Sequence, residues 1–156
     1  MATTKVIFIE SENVVQLEGV AAAAITPGQL LEYTSAGSKT VQRHSVAGGN
    51  HARLVAVNDY PQGGEIDTDY TAANRVQFRV AQPGDLCFML LKDGDAVDEG
   101  DYVESDGNGD VQKHEGDSSA TSSVTNQIVG VVRLALDLSG SSGADPSSRR
   151  LKVQFV

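Results

Sequence analysis

The amino-acid sequence predicts an all-β protein that carries one hairpin-plus-strand unit twice behind an extended N-terminal arm. Three observations predict it. Aromatics are scarce, with four Phe, four Tyr and no Trp in 156 residues, so the core must come from Val, Leu, Ile and Ala. That composition suits many short strands. Gly, Ser, Asp and Asn recur about every eight to twelve residues, the spacing of turns between such strands. The third observation is a repeat: VQRH at 41–44 returns as VQKH at 111–114.

Aligning the tetrads outward lays ITPGQLLEYTSAGSKTVQRH (25–44) over VDEGDYVESDGNGDVQKH (97–114), so that Gly28 meets Gly100 and Glu32 meets Glu104. The first copy has two more residues in its turn, where chains tolerate a length change. ARLVAV (52–57) then matches NQIVGVV (126–132), and RVQF (75–78) matches KVQF (152–155). An ordered series of matches reads as internal duplication. The division it predicts is an arm at 1–24, a first β unit at 25–92 and a second at 93–156.

In chain order, residues 1 to about 13 form the arm, with an apolar patch VIFI beside acids. The four consecutive alanines of 21–24 favour helix, but the stretch is too short to nucleate one. QLLEY and TVQRH flank TSAGSK as the first hairpin. ARLVAV follows as a strand, and NDYPQGGEIDTDYTAAN (58–74) is long for a connection, hence a candidate interaction loop. RVQFRVA and DLCFMLL are further strands. DYVES and DVQKH flank DGNG as the second hairpin. Gly130 and three valines mark QIVGVVRLAL as strand, and RLKVQFV closes the chain. Residues 115–125 and 138–148 are small and polar, as mobile surface loops are.

The net charge of −9 is concentrated. Ten acids fall between Asp93 and Asp117 against Lys113 alone, while the rest of the chain carries eleven charges of each sign. Such a segment repels phosphate, which argues against direct nucleic-acid binding. Cys87 sits in the apolar run LCFMLL and reads as a small core residue. No stretch approaches the roughly 18 apolar residues of a membrane span, and the N-terminus has no secretory h-region and cleavage site.

Catalytic and metal signatures are weak. His44, His114 and His51 lack the local Cys or Glu-x-x-His spacing of a zinc site. DGNGD at 106–110 opens like a calcium loop, but Val111 and Asp117 stand where its sixth-position Gly and twelfth-position Glu belong. SGSSG at 139–143 lacks the strand-to-helix context of a nucleophile elbow, and nothing local would split the pKa values of Asp67 and Asp69. The expectation is a non-enzyme without cofactor or metal that binds another protein. A pocket lined by His44, His51 or Asp67 would revive catalysis.

The residues also resemble a family. PGQLLEY, the VQRH and RLVAV strands, the Gly-Gly and Asp-x-x-Tyr loop at 63–70 and QPGD at 82–85 look like the capsid cement, or head decoration, proteins of tailed bacteriophages. EGDYVES through VQKH to IVGVV is similar in the same way, so the resemblance covers most of the chain beyond residue 24. It implies a small β-barrel or β-tulip-like fold, made in the bacterial cytoplasm. It further implies a homotrimer on the outside of an expanded capsid that binds the major capsid protein and cements neighbouring subunits. Neither membrane nor nucleic acid is an expected partner. The arm residues Lys5, Val6, Ile7, Phe8, Ile9 and Glu10 would add a strand to the capsid protein or a neighbouring protomer, or else form the first strand of their own domain. Tyr60 and Tyr70 are the other candidate contacts. A carbohydrate- or receptor-binding module is the alternative, disfavoured by only four tyrosines and no Trp for sugar stacking.

Overall fold

The computed structural model describes residues 6–34, 39–115, 126–140 and 148–156, so Lys5 and most of the two polar loops lie outside it. Its strands are β1 (Phe8–Glu10), β2 (Val15–Ala21), β3 (Leu30–Tyr33), β4 (Thr40–Arg43), β5 (Leu54–Ala56) and β6 (Arg75–Val80). They continue with β7 (Leu86–Leu90), β8 (Ala96–Val97), β9 (Tyr102–Ser105), β10 (Val111–Lys113), β11 (Ile128–Val132), β12 (Leu136–Asp137) and β13 (Arg150–Phe155). The fold is all-β, as the composition predicts. A 3-10 turn lies at Tyr60–Gln62. No helix among the described residues is long and apolar enough to cross a membrane.

Strands β2, β4, β3, β5 and β6 close a small barrel. A six-stranded sheet runs β1-β7-β13-β11-β9-β10, and β12 and β8 form a separate ribbon. The duplication is visible in the pairing. Hairpin β3–β4 sets Glu32 opposite Gln42, and hairpin β9–β10 sets Glu104 opposite Gln112. β5 joins β3 as β11 joins β9, β6 joins β5 as β13 joins β11, and β2 joins β6 as β7 joins β13. Even the closure recurs: Ala21 pairs in parallel with Val41, and Leu91 with Val111, each seventy positions on.

Two details of the repeat differ from the sequence alignment. β2, inside the segment 1–24, is a wall of the first unit, and its counterpart β7 belongs with the second, so the pairing groups 15–80 and 86–155. The last strands match two residues away from the RVQF–KVQF alignment: Val55 faces Arg79 where Val131 faces Gln154. A shift of two leaves every side chain on its own face of the sheet, so the apolar pattern could not reveal it.

Two cores result. Leu31, Val41, Leu54, Ala56, Val76 and Phe78 fill the barrel. Leu30 and Val55 point out of it and pack with Cys87, Val103, Val129, Leu151 and Phe155 of the second unit. β5 is therefore buried on both faces, which is why ARLVAV reads as a run rather than an alternation. The units also interlock through backbone. Leu30 N–H donates to Gly109 O (2.8 Å), Gly109 N–H to His44 O (3.1 Å) and Gly48 N–H to Ser105 O (2.9 Å). Gly109 has φ 85° and no room for a side chain, since a Cβ would lie 3.0 Å from Arg43 Cβ.

Candidate functional site

The duplicated tetrads build the same polar cluster twice. Because Glu and Gln sit directly opposite on each hairpin, Gln42 Nε2 donates to Glu32 Oε1 at 2.6 Å and Gln112 Nε2 to Glu104 Oε1 at 3.0 Å. The tetrad histidines stand two residues further along. His114 Nδ1 is 2.6 Å from Glu104 Oε2, whereas His44 Nε2 is 3.9 Å from Glu32 Oε2. His44 has turned inward, with Nδ1 2.7 Å from Ser105 Oγ and Nε2 2.8 Å from Asn50 O. A carbonyl only accepts, so Nε2 donates to Asn50 O.

Glu104 borders a cleft of about 440 Å³ with Lys92, Asp95, Lys113, His114 and Asn126. Burial works against its charge, but donation from His114, Gln112 and Asn126 outweighs this and holds the carboxyl below its ordinary value of 4.5. A carboxylate saturated with donors is a clamp between strands and a poor general acid. Unfolded, it takes a proton near its ordinary value; folded, it resists doing so. Its contribution is therefore complete above about pH 4.5 and is lost as pH falls through the folded value. Glu104→Gln is expected to cost about 1–2 kcal/mol at pH 7. Thermal melts of the two proteins between pH 7 and pH 3 should converge at the acid end, and a constant gap would contradict the clamp.

The other candidates are engaged elsewhere. His51 packs edge-on to His44 with centroids 6.3 Å apart, and burial pushes its pKa down. Asp67 pairs with Arg150 (Nη2–Oδ1, 3.0 Å). A second cleft, about 410 Å³, is lined by Asp59, Gln62, Thr68, Asp69, Tyr70 and Arg75. His44, His51 and Asp67 line neither cleft. In the calcium-like tract, Asp106 Oδ1 accepts from Asn108 N–H, and Asp110 takes Arg149 (2.6 Å) and Gln29 (3.0 Å). No group of three metal-binding side chains occurs among the described residues. The Cys87 thiol is buried, and burial pushes its pKa up.

The predicted contact residues divide. Val6 and Ile9 are exposed, as is Glu10, while Ile7 is a core side chain at 2% exposure and Phe8 packs partly against the same core. β1 pairs with the chain's own β7, and Phe88 N–H donates to Ile7 O (2.7 Å). Among the described residues no strand pairs with its outer edge. Tyr60 is 81% exposed in the 3-10 turn near the start of the long loop. Tyr70 is instead a barrel residue whose hydroxyl donates to Val57 O (2.5 Å), with burial pushing its pKa up to about 12. What remains accessible of it, 7%, faces the second cleft. The sequence reading missed Arg150, which holds Pro27, Ile66 and Asp67 of the first unit from β13. Its only signal was a cation at the head of the closing strand RLKVQF.

The whole described chain, barrel and sheet together, can be set against known structures. It superposes on the N base of the head fiber protein gp8.5 of bacteriophage phi29 with a TM-score of 0.56, covering 92% of this chain and 95% of that one. The fold is similar to a phage head-fiber base. At 11% identity the likeness is one of fold. No protein-family model matches the chain, and no curated protein does.

Proposed function

We propose that this chain is a non-enzymatic virion structural protein that binds the outside of an expanded tailed-phage capsid as a trimer and cements neighbouring shell subunits. The observation that carries this reading is the end-to-end likeness to the base of a phage head fiber, covering both chains almost entirely. The resemblance of PGQLLEY, VQRH and RLVAV to cement proteins supports it from the sequence. So does the site chemistry, since the carboxylates and histidines of the two clusters spend their hydrogen bonds on neighbouring groups of the fold. A trimer multiplies three modest contacts into one firm attachment.

Capsid shells that lack the protein, mixed with the purified chain, provide the test. Expected are saturable occupancy of the outer surface, a trimer in light scattering, and shells that survive higher temperature than undecorated ones. A monomer that leaves shells bare would overturn the proposal. Specific glycan-array hits together with bare shells would favour a receptor-binding module.

A further inference from the structure

The internal repeat exposes a difference between its two halves. In the second unit, β7 has β13 on one side and β1 on the other, and its inward side chains Cys87 and Met89 are fully buried. The counterparts seventy positions earlier are Leu17 and Gly19 on β2. β2 has β6 along its whole length, but on its other side it meets β4 only at Val20 and Ala21. Beside Val15–Glu18 no described strand stands where β1 stands beside β7. Leu17, at a position whose counterpart is 0% exposed, is 36% exposed, and Val14, Val15 and Val20 around it are 55%, 44% and 36% exposed.

The backbone along this seam has the right phase to receive a strand. Val20 N–H donates to Lys39 O and Ala22 N–H to Val41 O, both toward β4. By the two-residue period of a strand, the N–H groups of Gln16 and Glu18 aim the same way. Among the described residues they meet no partner strand. Glu18 corresponds to Phe88, whose N–H is the donor to Ile7 O. The filled seam is thus a template for the open one.

We infer that the β2 seam at Val15–Glu18 is an acceptor site for an extended strand of the capsid shell subunit. That strand would run antiparallel to β2, with an apolar side chain where Ile7 stands in the second unit. The identity of this occupant rests on the virion reading above; the seam itself does not. A second copy of this chain is a poorer source. Its β1 already serves β7.

Two experiments decide it. Hydrogen exchange of the full chain, with and without an excess of acetylated KVIFIE peptide as a β1-like probe, should slow the Gln16 and Glu18 amides at least tenfold. Unchanged exchange at both would overturn the acceptor site whether or not the protein binds shells. With shells, Glu18→Pro removes the N–H that faces the seam and not one that faces β6, a placement edge strands tolerate. Glu18→Ala loses the same ion pair with Arg75 but keeps the amide. Expected is at least a tenfold loss of shell affinity for the proline variant relative to the alanine variant, with Gln16 and Glu18 protected in wild-type complexes. Shell binding without that protection, or protection that rises with protein concentration in the absence of shells, would overturn the assignment of the occupant.

Discussion

Arg150→Ala is expected to cost about 3 kcal/mol, the range for removing one partner from a buried, charge-assisted network. Arg150 is 9% exposed, and its guanidinium leaves the second unit to bind the first. Its Nη1 donates to Pro27 O at 2.6 Å, and Nη2 donates to Ile66 O and lies 3.0 Å from Asp67 Oδ1. Burial lowers its pKa while Asp67 works the other way. Truncation strands two carbonyls and a carboxylate between the units. For a chain of this size the loss should lower the melting temperature by roughly 6–12 °C. Urea denaturation would show a lower midpoint at an unchanged slope if the units still unfold together. Arg150→Lys should recover less than half, because an ammonium cannot present the planar fork that serves three acceptors. A cost below about 1 kcal/mol would mean that Arg150 contributes little to holding the units together.

Gly130→Ala should be comparably severe for a different reason. Gly130 lies in β11 between Val103 and Phe155, next to a register shift against β9. A Cβ there would overlap Gln154 O and come within 2.6 Å of Val153 Cγ1. β13 cannot yield, since β7 pairs along its other side. Overpacking against fixed backbone costs about 1–3 kcal/mol and sometimes more, and the upper end is expected here. Gly140, with nothing within 4 Å of a Cβ, is the control: Gly140→Ala should change stability by less than about 0.5 kcal/mol. Equal effects at the two glycines would refute the steric account.

Much of this architecture was legible in the sequence because duplication leaves local marks. The Glu32–Gln42 and Glu104–Gln112 pairings follow from one alignment of two tetrads, since hairpin register is set by the turn between the strands. What stayed hidden was non-local. VQLEGVA alternates apolar and polar residues as far as Glu18, but its role as a barrel wall rests on pairing with β6, far along the chain. Tyr70 looked like an exposed loop aromatic, because only the fold brings Val57 O to its hydroxyl. Arg150 carries no motif at all, and its meaning depends on a loop more than eighty residues earlier.

The placement of the chain's two ends has a mechanical corollary. β1 and β13 both run antiparallel to β7, one on each side, with Phe8 and Val153 opposite the same Cys87. They are therefore parallel to each other, and the chain enters at one end of β7 and leaves at the other. Tension drawn between the termini loads both rows of hydrogen bonds in shear, so many must yield together instead of one after another. The protein is therefore expected to resist stretching between these two strands better than peeling from a hairpin.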